Sequence, residues 1–226
     1  MDLKSVAAVV PVYVPEPGLS PLVESLRRSF GRVIVVDDGS GEWADNLPRP
    51  DIRHKANRGK GAAIKSALAV LSSDSSVRAA LFVDGDGQHR LSDSLAVARR
   101  TLETDQVTFG VRDFTREGVP FFSRLGNLTA SFEARLLGSS LRDTQTGLRC
   151  VPARLFAELL KVPGERFEYE CACLVHLLRM RETIRQVPIE TVYIRSNRAS
   201  HFRPLLDTFR TQRVFLSALL GVSGDL

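Results

Sequence analysis

Long hydrophobic runs are missing from this sequence, and cysteine is scarce. No stretch approaches the roughly 18 apolar residues that a membrane-spanning helix requires. The apolar run VAAVVPVYV near the start has no basic leader and no small-residue cleavage site, so it predicts a first β-strand and not a signal peptide. The three cysteines, Cys150, Cys171 and Cys173, are odd in number and lack a paired-cysteine metal spacing. We therefore expect a cytoplasmic protein that reaches a membrane only peripherally or through a partner.

Lysine is also rare. Only five of the 31 basic residues are lysine, so arginine supplies nearly all of the positive charge behind the net +5. Arginine suits bidentate recognition of phosphate groups, but a genome rich in arginine codons would produce the same bias. Composition leaves both explanations open, and no nucleic-acid partner is expected.

The first half of the chain alternates between two kinds of pattern. Short β-forming runs at 6–12, 32–36, 52–54, 79–83 and 106–110 are separated by helical patterns at 19–30, 61–71 and 92–103. This alternation predicts an α/β fold with a mostly parallel central sheet. The 226 residues, 43% of them hydrophobic, can bury the core of one compact domain, and no internal repeat or low-complexity linker divides them.

The second half is predicted to hold a polar loop at 112–117 with Arg112 and Arg116, helices at 121–137 and 153–160, a helix from the segment RFEYE to Arg181, and a strand at 184–193. At 204–222, Leu205, Phe209 and Leu216 recur near helical spacing, which predicts an amphipathic helix. Its basic pattern is compatible with packing on the domain and with lying on a membrane surface or a membrane partner.

Carboxylate clusters follow two of the predicted strands. Asp37 and Asp38 come after VIVV, and Asp84 and Asp86 come after ALFV in the segment DGDGQH. Open α/β sheets bind ligands outside the carboxyl ends of their strands, so both clusters should line one crevice. Two carboxylates one residue apart can both approach Mg²⁺ or Mn²⁺ bridging a diphosphate, although Asp-Gly pairs are also common in plain turns.

The segment NRGKG, residues 57–61, precedes a predicted helix. Its two glycines permit a close backbone approach, and the helix that follows offers its N-terminus to a phosphate. The spacing is neither that of a P-loop nor that of a Rossmann triple glycine. A simple helix-entry turn would explain the same residues.

Eight segments in order carry a resemblance: PVY, VVDDGS, NRGKG, DGDGQH, SRLGN, DTQTGLR, FEYE and NRASHFRP. Together they resemble family 2 glycosyltransferases, particularly the dolichyl- or polyprenyl-phosphate sugar synthases, over nearly the whole chain. The resemblance implies a GT-A fold, a Rossmann-like three-layer α/β sandwich. It further implies one catalytic domain over 1–226, with a nucleotide-sugar-binding half at 1–110, an acceptor half at 111–203 and the C-terminal amphipathic helix at 204–226.

For the donor, the resemblance implies that Asp38, with Asp37, binds the nucleoside of a nucleotide sugar. The metal, Mg²⁺ or Mn²⁺, and the donor diphosphate fall on Asp84, Asp86 and Gln88. The remaining expected donor contacts are Tyr13, Glu16 and Lys60. Many family members continue PVY with Asn and an acid, whereas this chain reads Val14, Pro15 and Glu16, so one nucleoside contact is altered.

For the acceptor, the resemblance implies a polyprenyl phosphate whose phosphate is held by arginines of the second half. The expected contacts are Arg112, Ser123, Arg124, Arg198, His201 and Arg203. Asp143, Glu168 and Glu170 would be acids on the acceptor side, and Asp86, Asp143 and Arg124 are the predicted catalytic set. Since a phosphate nucleophile is already ionised near neutral pH, Asp143 is expected to orient the acceptor and not to abstract a proton.

The expected reaction is metal-dependent transfer with inversion at the anomeric carbon. An alternative is a single addition to a hydroxyl of a saccharide or glycolipid. The Q-x-x-R-W sequence of processive polysaccharide synthases is absent. A nucleotide-sugar-binding partner without catalysis is an alternative of another class, and the acceptor-side residues argue against it.

Overall fold

The computed structural model describes residues 2–16, 18–43, 47–114, 131, 134–136, 138–190 and 204–219, with 204–209 and 219 as backbone only. The strands are β1 (Val6–Val12), β2 (Arg32–Asp37), β3 (Ile52–Arg53), β4 (Ala79–Phe82), β5 (Val107–Arg112), β6 (Arg149–Pro152) and β7 (Ile184–Ile189). The helices are α1 (Leu19–Ser29), α2 (Lys60–Leu71), α3 (Leu91–Thr104), α4 (Phe156–Lys161), α5 (Glu168–Arg179) and α6 (Pro204–Leu219), and a 3₁₀ turn, Ala153–Leu155, precedes α4.

The seven strands form one sheet in the order β3-β2-β1-β4-β6-β5-β7. Two apolar layers cover its faces because successive side chains of each strand point to opposite sides. Along β1, Ala7 and Val9 pack with α2, α4, α5 and α6, whereas Val6, Ala8 and Val10 pack with α1 and α3. The predicted three-layer α/β sandwich is therefore confirmed.

β6 is the one strand among the described residues that runs antiparallel to its neighbours, β4 and β5. No strand was predicted in DTQTGLRCVP, because β6 has only four residues, Arg149–Pro152, and is too short to give a periodic pattern. Its direction matters for the site. Arg149, the first residue of β6, pairs with Phe82, the last residue of β4, so the preceding TQTG segment arrives where β4 ends.

Element boundaries differ from the sequence predictions at two places. β5 extends through Arg112, which the sequence analysis placed in a loop, because this residue continues the parallel register with Ile189 of β7. β7 ends at Ile189 and Glu190 is outside the strand, whereas residues 191–193 of the predicted strand lie outside the described residues. Most of the predicted helix at 121–137 lies outside the described residues.

α6 packs on the body of the domain. Val214 and Phe215 are buried in the same apolar cluster as α5, and Arg179 of α5 donates to the carbonyl of Ala218 at 3.5 Å. This is one of the two positions that the sequence left open for the helix. Across the part of the chain that the structure describes, every helix is too short or too polar to cross a membrane.

Candidate active site

A pocket of about 550 Å³ lies at the carboxyl ends of β1, β2 and β4. Residues 11–16, which follow and end β1, form one wall, and the NRGKG turn forms another. The predicted contacts Tyr13, Glu16, Asp38, Lys60, Asp84 and Asp86 all line it. Strand polarity therefore brings the two predicted carboxylate clusters to one crevice, although only one residue of the first cluster faces it.

Asp38 anchors the NRGKG turn to β2. Its Oδ1 accepts from the backbone N of Arg58 at 3.0 Å, and its Oδ2 accepts from Gly59 N at 2.7 Å. His54 Nδ1 lies 2.6 Å from Oδ1, and His54 Nε2 lies 2.9 Å from Ser66 Oγ. Asp38 thus sets the shape of the pocket wall in addition to lining it. No role was predicted for His54, which is buried directly after β3.

Gly59 lets this turn lie against the segment before α5. Its φ of +112° favours glycine, and a Cβ there would lie 2.4 Å from the carbonyl oxygen of Glu165. Ala62 N donates to the same oxygen at 2.8 Å. The first turn of α2 is therefore locked to the residues that lead into FEYE, a contact between the two halves of the sequence.

Asp37 does not line the pocket. It is fully buried, its Oδ1 accepts from Ser40 N at 2.9 Å, and Arg53 Nε lies 2.9 Å from its Oδ2. These contacts hold the turn after β2. The structure therefore does not place Asp37 with the other predicted donor contacts, because neighbouring residues of a strand point to opposite faces.

Lys60, Asp84 and Glu170 form an ion-pair chain beside the pocket. Lys60 Nζ lies 2.6 Å from Asp84 Oδ1 and 2.8 Å from Glu170 Oε2. Burial lowers the pKa of Lys60, but the charges of Asp84 and Glu170 outweigh it and hold the pKa above its ordinary value. Burial likewise opposes ionisation of Asp84, yet Lys60 and His89 hold the pKa of Asp84 below its usual range. Lys60 and Asp84 are therefore both charged near neutral pH.

Asp86 lies next to this chain without sharing its cation. Its Oδ1 accepts from Gln88 N at 3.0 Å. Burial, and then the negative charge of Asp84, raise the pKa of Asp86 above its ordinary value. The negative charge of ionised Asp86 is therefore not fully balanced by positive groups nearby. A divalent cation would supply that compensation, so the residues present fit the predicted Mg²⁺ or Mn²⁺.

The segment before β6 closes directly over Asp84. A Cβ at position 147 would lie 2.0 Å from Asp84 Oδ2, so only glycine allows this approach. His89 Nε2 lies 3.5 Å from the same oxygen. The TQTG segment, predicted to belong to the acceptor half, thus touches a donor-side carboxylate.

Asp143 is fully buried and accepts three hydrogen bonds from Arg112, one from its backbone N at 3.2 Å and two from its guanidinium group. Arg112 Nε donates to Oδ2 at 2.7 Å, and Arg112 Nη2 donates to Oδ1 at 3.0 Å. Gln145 N also donates to Oδ1, at 3.1 Å. Arg112 is predicted to bind a phosphate, and Asp143 is predicted to contact the acceptor. The structure instead pairs the two side chains with each other at the end of β5.

Arg149 is a buried arginine that sequence reasoning missed. It donates to the carbonyls of Thr146, Thr144 and Glu170 and lies over the ring of Phe109. It joins the TQTG segment to the first turn of α5. The motif match to DTQTGLR included this arginine, but no pattern in the sequence indicated a purely internal role.

Glu168 and Glu170, two residues apart in FEYE, have different positions. Glu168 Oε1 accepts from the backbone N of Glu165 and Arg166 at the start of α5. Of the two, only Glu170 contacts a residue that lines the pocket, Lys60. Arg166 and Arg210 also line the pocket and were not predicted, because both reach it from elements distant in sequence. The predicted residues Arg116, Ser123, Arg124, Arg198, His201 and Arg203 lie outside the described residues.

A protein-family model decides the identity of the fold and its chemistry. Residues 7–159 match the model described as glycosyl transferase family 2. The chain belongs to glycosyl transferase family 2. The match begins in β1, covers residues 11–16, the NRGKG turn, the DGDGQH turn and the Arg112–Asp143 pair, and ends within α4. The predicted enzyme class is thereby confirmed, whereas the narrower likeness to polyprenyl-phosphate sugar synthases remains a prediction.

This glycosyl transferase is also similar to individual proteins. An uncharacterized protein of Methanocaldococcus jannaschii is 24% identical over 180 residues, which are 72% of this chain and 78% of that protein. Glucosyl-3-phosphoglycerate synthase of Mycobacterium tuberculosis, in complex with phosphoglyceric acid, superposes with a TM-score of 0.68 at 17% identity, covering 98% of this chain and 81% of that one. A complex of the same enzyme with Mn²⁺, UDP-glucose and phosphoglyceric acid gives a TM-score of 0.67 at 18% identity, with 98% and 81% covered. This likeness shows the fold.

Proposed function

We propose that this chain transfers a sugar from a nucleotide-sugar donor to a phosphate-bearing acceptor, with a divalent metal ion and with inversion at the anomeric carbon. The observation that carries the proposal is the convergence of Asp84 and Asp86 with Lys60 in the lining of a pocket of about 550 Å³. Family membership supplies the class of reaction.

The pocket has the chemistry that a nucleoside diphosphate requires. Its apolar wall of residues 11–15 can contact a base, and the charged groups around it can hold ribose hydroxyls and phosphates. Tyr13 lines the pocket with 37% of its surface exposed, and an aromatic ring in this position can stack on a base. The positive groups lining the pocket are Lys60, Arg166 and Arg210. The structural neighbour in complex with UDP-glucose supports a nucleotide sugar as the donor.

Asp84 and Asp86 would hold the metal together with oxygens of the donor diphosphate, with Gln88 beside them. Mg²⁺ in such sites takes one or two carboxylates and completes its shell with substrate phosphates and water. The bound ion would stabilise the departing nucleoside diphosphate as a Lewis acid. Complexes of the structural neighbour with Mn²⁺ and with Mg²⁺ support this proposal.

The acceptor is proposed to present a phosphate oxygen to the sugar from the face opposite the leaving diphosphate. The motif SRLGN and the arginines near 198–203, which resemble polyprenyl-phosphate sugar synthases, favour a polyprenyl phosphate. The structural neighbour's complexes contain phosphoglyceric acid, so a small phosphorylated acid is the second candidate. Both acceptors carry a phosphate group, and arginine is suited to bind it.

Product analysis by mass spectrometry tests the proposal. The enzyme would be incubated with Mn²⁺ and a panel of UDP- and GDP-sugars, together with a short polyprenyl phosphate, 3-phosphoglycerate or neither. We expect a new glycosylated product with a phosphate-bearing acceptor and its loss when the metal is chelated. A product only with 3-phosphoglycerate would exclude the lipid acceptor. Donor hydrolysis unchanged by either compound would exclude the phosphate acceptor and favour transfer to a hydroxyl.

A further inference from the structure

The ammonium group of Lys60 occupies a position where a cation is held by two carboxylates. Its Nζ lies 2.6 Å from Asp84 Oδ1 and 2.8 Å from Glu170 Oε2, and the Lys60 side chain is only 15% exposed. Lys60 is also the first residue of α2 and lines the pocket. The ion pair therefore sits where a donor diphosphate and its metal would have to meet the protein.

Both oxygens of Asp84 are already covered. Oδ1 is bound by Lys60, and Oδ2 faces Gly147, where a Cβ would lie 2.0 Å away, with His89 Nε2 at 3.5 Å. A divalent ion binds a carboxylate oxygen at about 2.1 Å. Such an ion on Oδ1 would lie close to the Lys60 ammonium group, which carries the same sign of charge, so the two cations would repel each other at this oxygen. Lys60 in this position therefore opposes metal binding at Asp84, and its departure would favour the metal.

Lysine is suited to such a move. Its ammonium is a compact point charge on a flexible stem, in contrast to the fixed planar fork of arginine. A diphosphate arriving in the pocket offers a stronger anionic partner, and the N-terminus of α2 begins at the same residue. When Lys60 turns to the diphosphate, Asp84 becomes available to the metal and Glu170 of α5 loses its cation.

We propose that Lys60 is an internal cation that occupies Asp84 and Glu170 until the donor diphosphate draws it away, so that metal binding depends on prior or simultaneous nucleotide binding. This inference rests on the proposed donor and metal site and adds a positioning role for Lys60 within it. The same exchange links the donor side, through Asp84, to the acceptor side, through Glu170.

Mn²⁺ binding, measured from the electron paramagnetic resonance signal of the free ion, tests the inference without turnover. The dissociation constant would be determined for the wild-type protein with Mn²⁺ alone, with UDP and with GDP, and then for Lys60→Met. We expect Lys60→Met to bind Mn²⁺ alone at least about fivefold more tightly and to show a correspondingly smaller enhancement by nucleotide. Lys60→Gln, which keeps a polar side chain, should behave in the same way.

Lys65→Met is the matched control. Lys65 lies in the same helix, but its Nζ donates to the carbonyl of Gly164 at 2.9 Å and lies over the Tyr169 ring. Its loss removes the same charge and should leave Mn²⁺ binding near the wild-type value. If Lys65→Met and Lys60→Met bind Mn²⁺ equally more tightly than the wild-type protein, the effect comes from net charge and the proposal is wrong. Unchanged or weaker Mn²⁺ binding in folded Lys60→Met and Lys60→Gln would also overturn it.

The same Mn²⁺ measurements distinguish a wrong donor site from a wrong role for Lys60. If neither UDP nor GDP enhances Mn²⁺ binding to the wild-type protein, the proposed donor site is wrong and the inference falls with it. If nucleotide enhances Mn²⁺ binding equally in wild type and Lys60→Met, the donor site stands and only the role of Lys60 is wrong.

Discussion

Asp86→Asn is expected to lower kcat by about 10²–10³-fold while leaving the fold intact. Asp86 lines the pocket, and its negative charge is the one that Lys60 does not pair. Burial and the charge of Asp84 raise the pKa of Asp86, so its ionised form is unfavourable in the folded protein. Replacing it with a neutral amide therefore removes the charge that would bind the metal and does not cost stability. Steady-state kinetics and thermal unfolding measure the two effects separately.

The control for this variant is Glu103→Gln. Glu103 is an exposed carboxylate near the end of α3 that lies 3.7 Å from Arg100, so its loss should change neither activity nor stability by a measurable amount. Near-normal turnover of Asp86→Asn would refute the metal assignment. A large loss of stability would instead show that the carboxylate is structural.

Arg112→Ala is expected to lower the free energy of unfolding by about 3 kcal/mol, because it leaves the fully buried Asp143 carboxylate without its cation. Both nitrogens of the Arg112 fork bind Asp143, and Asp143 holds the turn that leads to TQTG. Denaturant-induced unfolding measures the change. The double variant Arg112→Ala/Asp143→Asn should recover part of the loss, since the uncompensated charge is then absent.

Arg100→Ala, which removes an exposed arginine from α3, serves as the comparison and should cost less than about 0.5 kcal/mol. The alternative is that Arg112 leaves Asp143 to bind the acceptor phosphate, as the sequence analysis predicted. In that case Arg112→Ala would also raise KM for the phosphate-bearing acceptor, whereas an unchanged free energy of unfolding would contradict the structural role of the pair.

The sequence predicted the donor side of the site because that side depends on local patterns. Apolar runs identified β1, β2 and β4, and parallel strands bring their carboxyl ends to one edge, which placed Asp38, Asp84 and Asp86 together. Alternation along a strand is equally local. It would have separated Asp37 from Asp38 had it been applied to the last residue of β2.

The contacts that the sequence did not predict join residues far apart in the chain. Lys60 and Glu170 meet only because α2 and α5 cover the same face of the sheet, and Gly147 meets Asp84 only because β6 is antiparallel to β4. The strand β6 is too short to give a periodic signal. His54 contacts Asp38 because β2 and β3 pair Asp37 with Arg53, the residues directly before them. No sequence motif indicates this pairing.

A crystal structure of the protein with Mn²⁺ and UDP or GDP tests the central claim most directly. The account predicts an anomalous manganese peak about 2.2 Å from an oxygen of Asp86, bridged to the diphosphate, with the nucleoside against residues 11–16. It also predicts that Lys60 Nζ has left Asp84 for a phosphate oxygen. Manganese bound away from Asp84 and Asp86, or a nucleotide bound outside this pocket, would contradict the account.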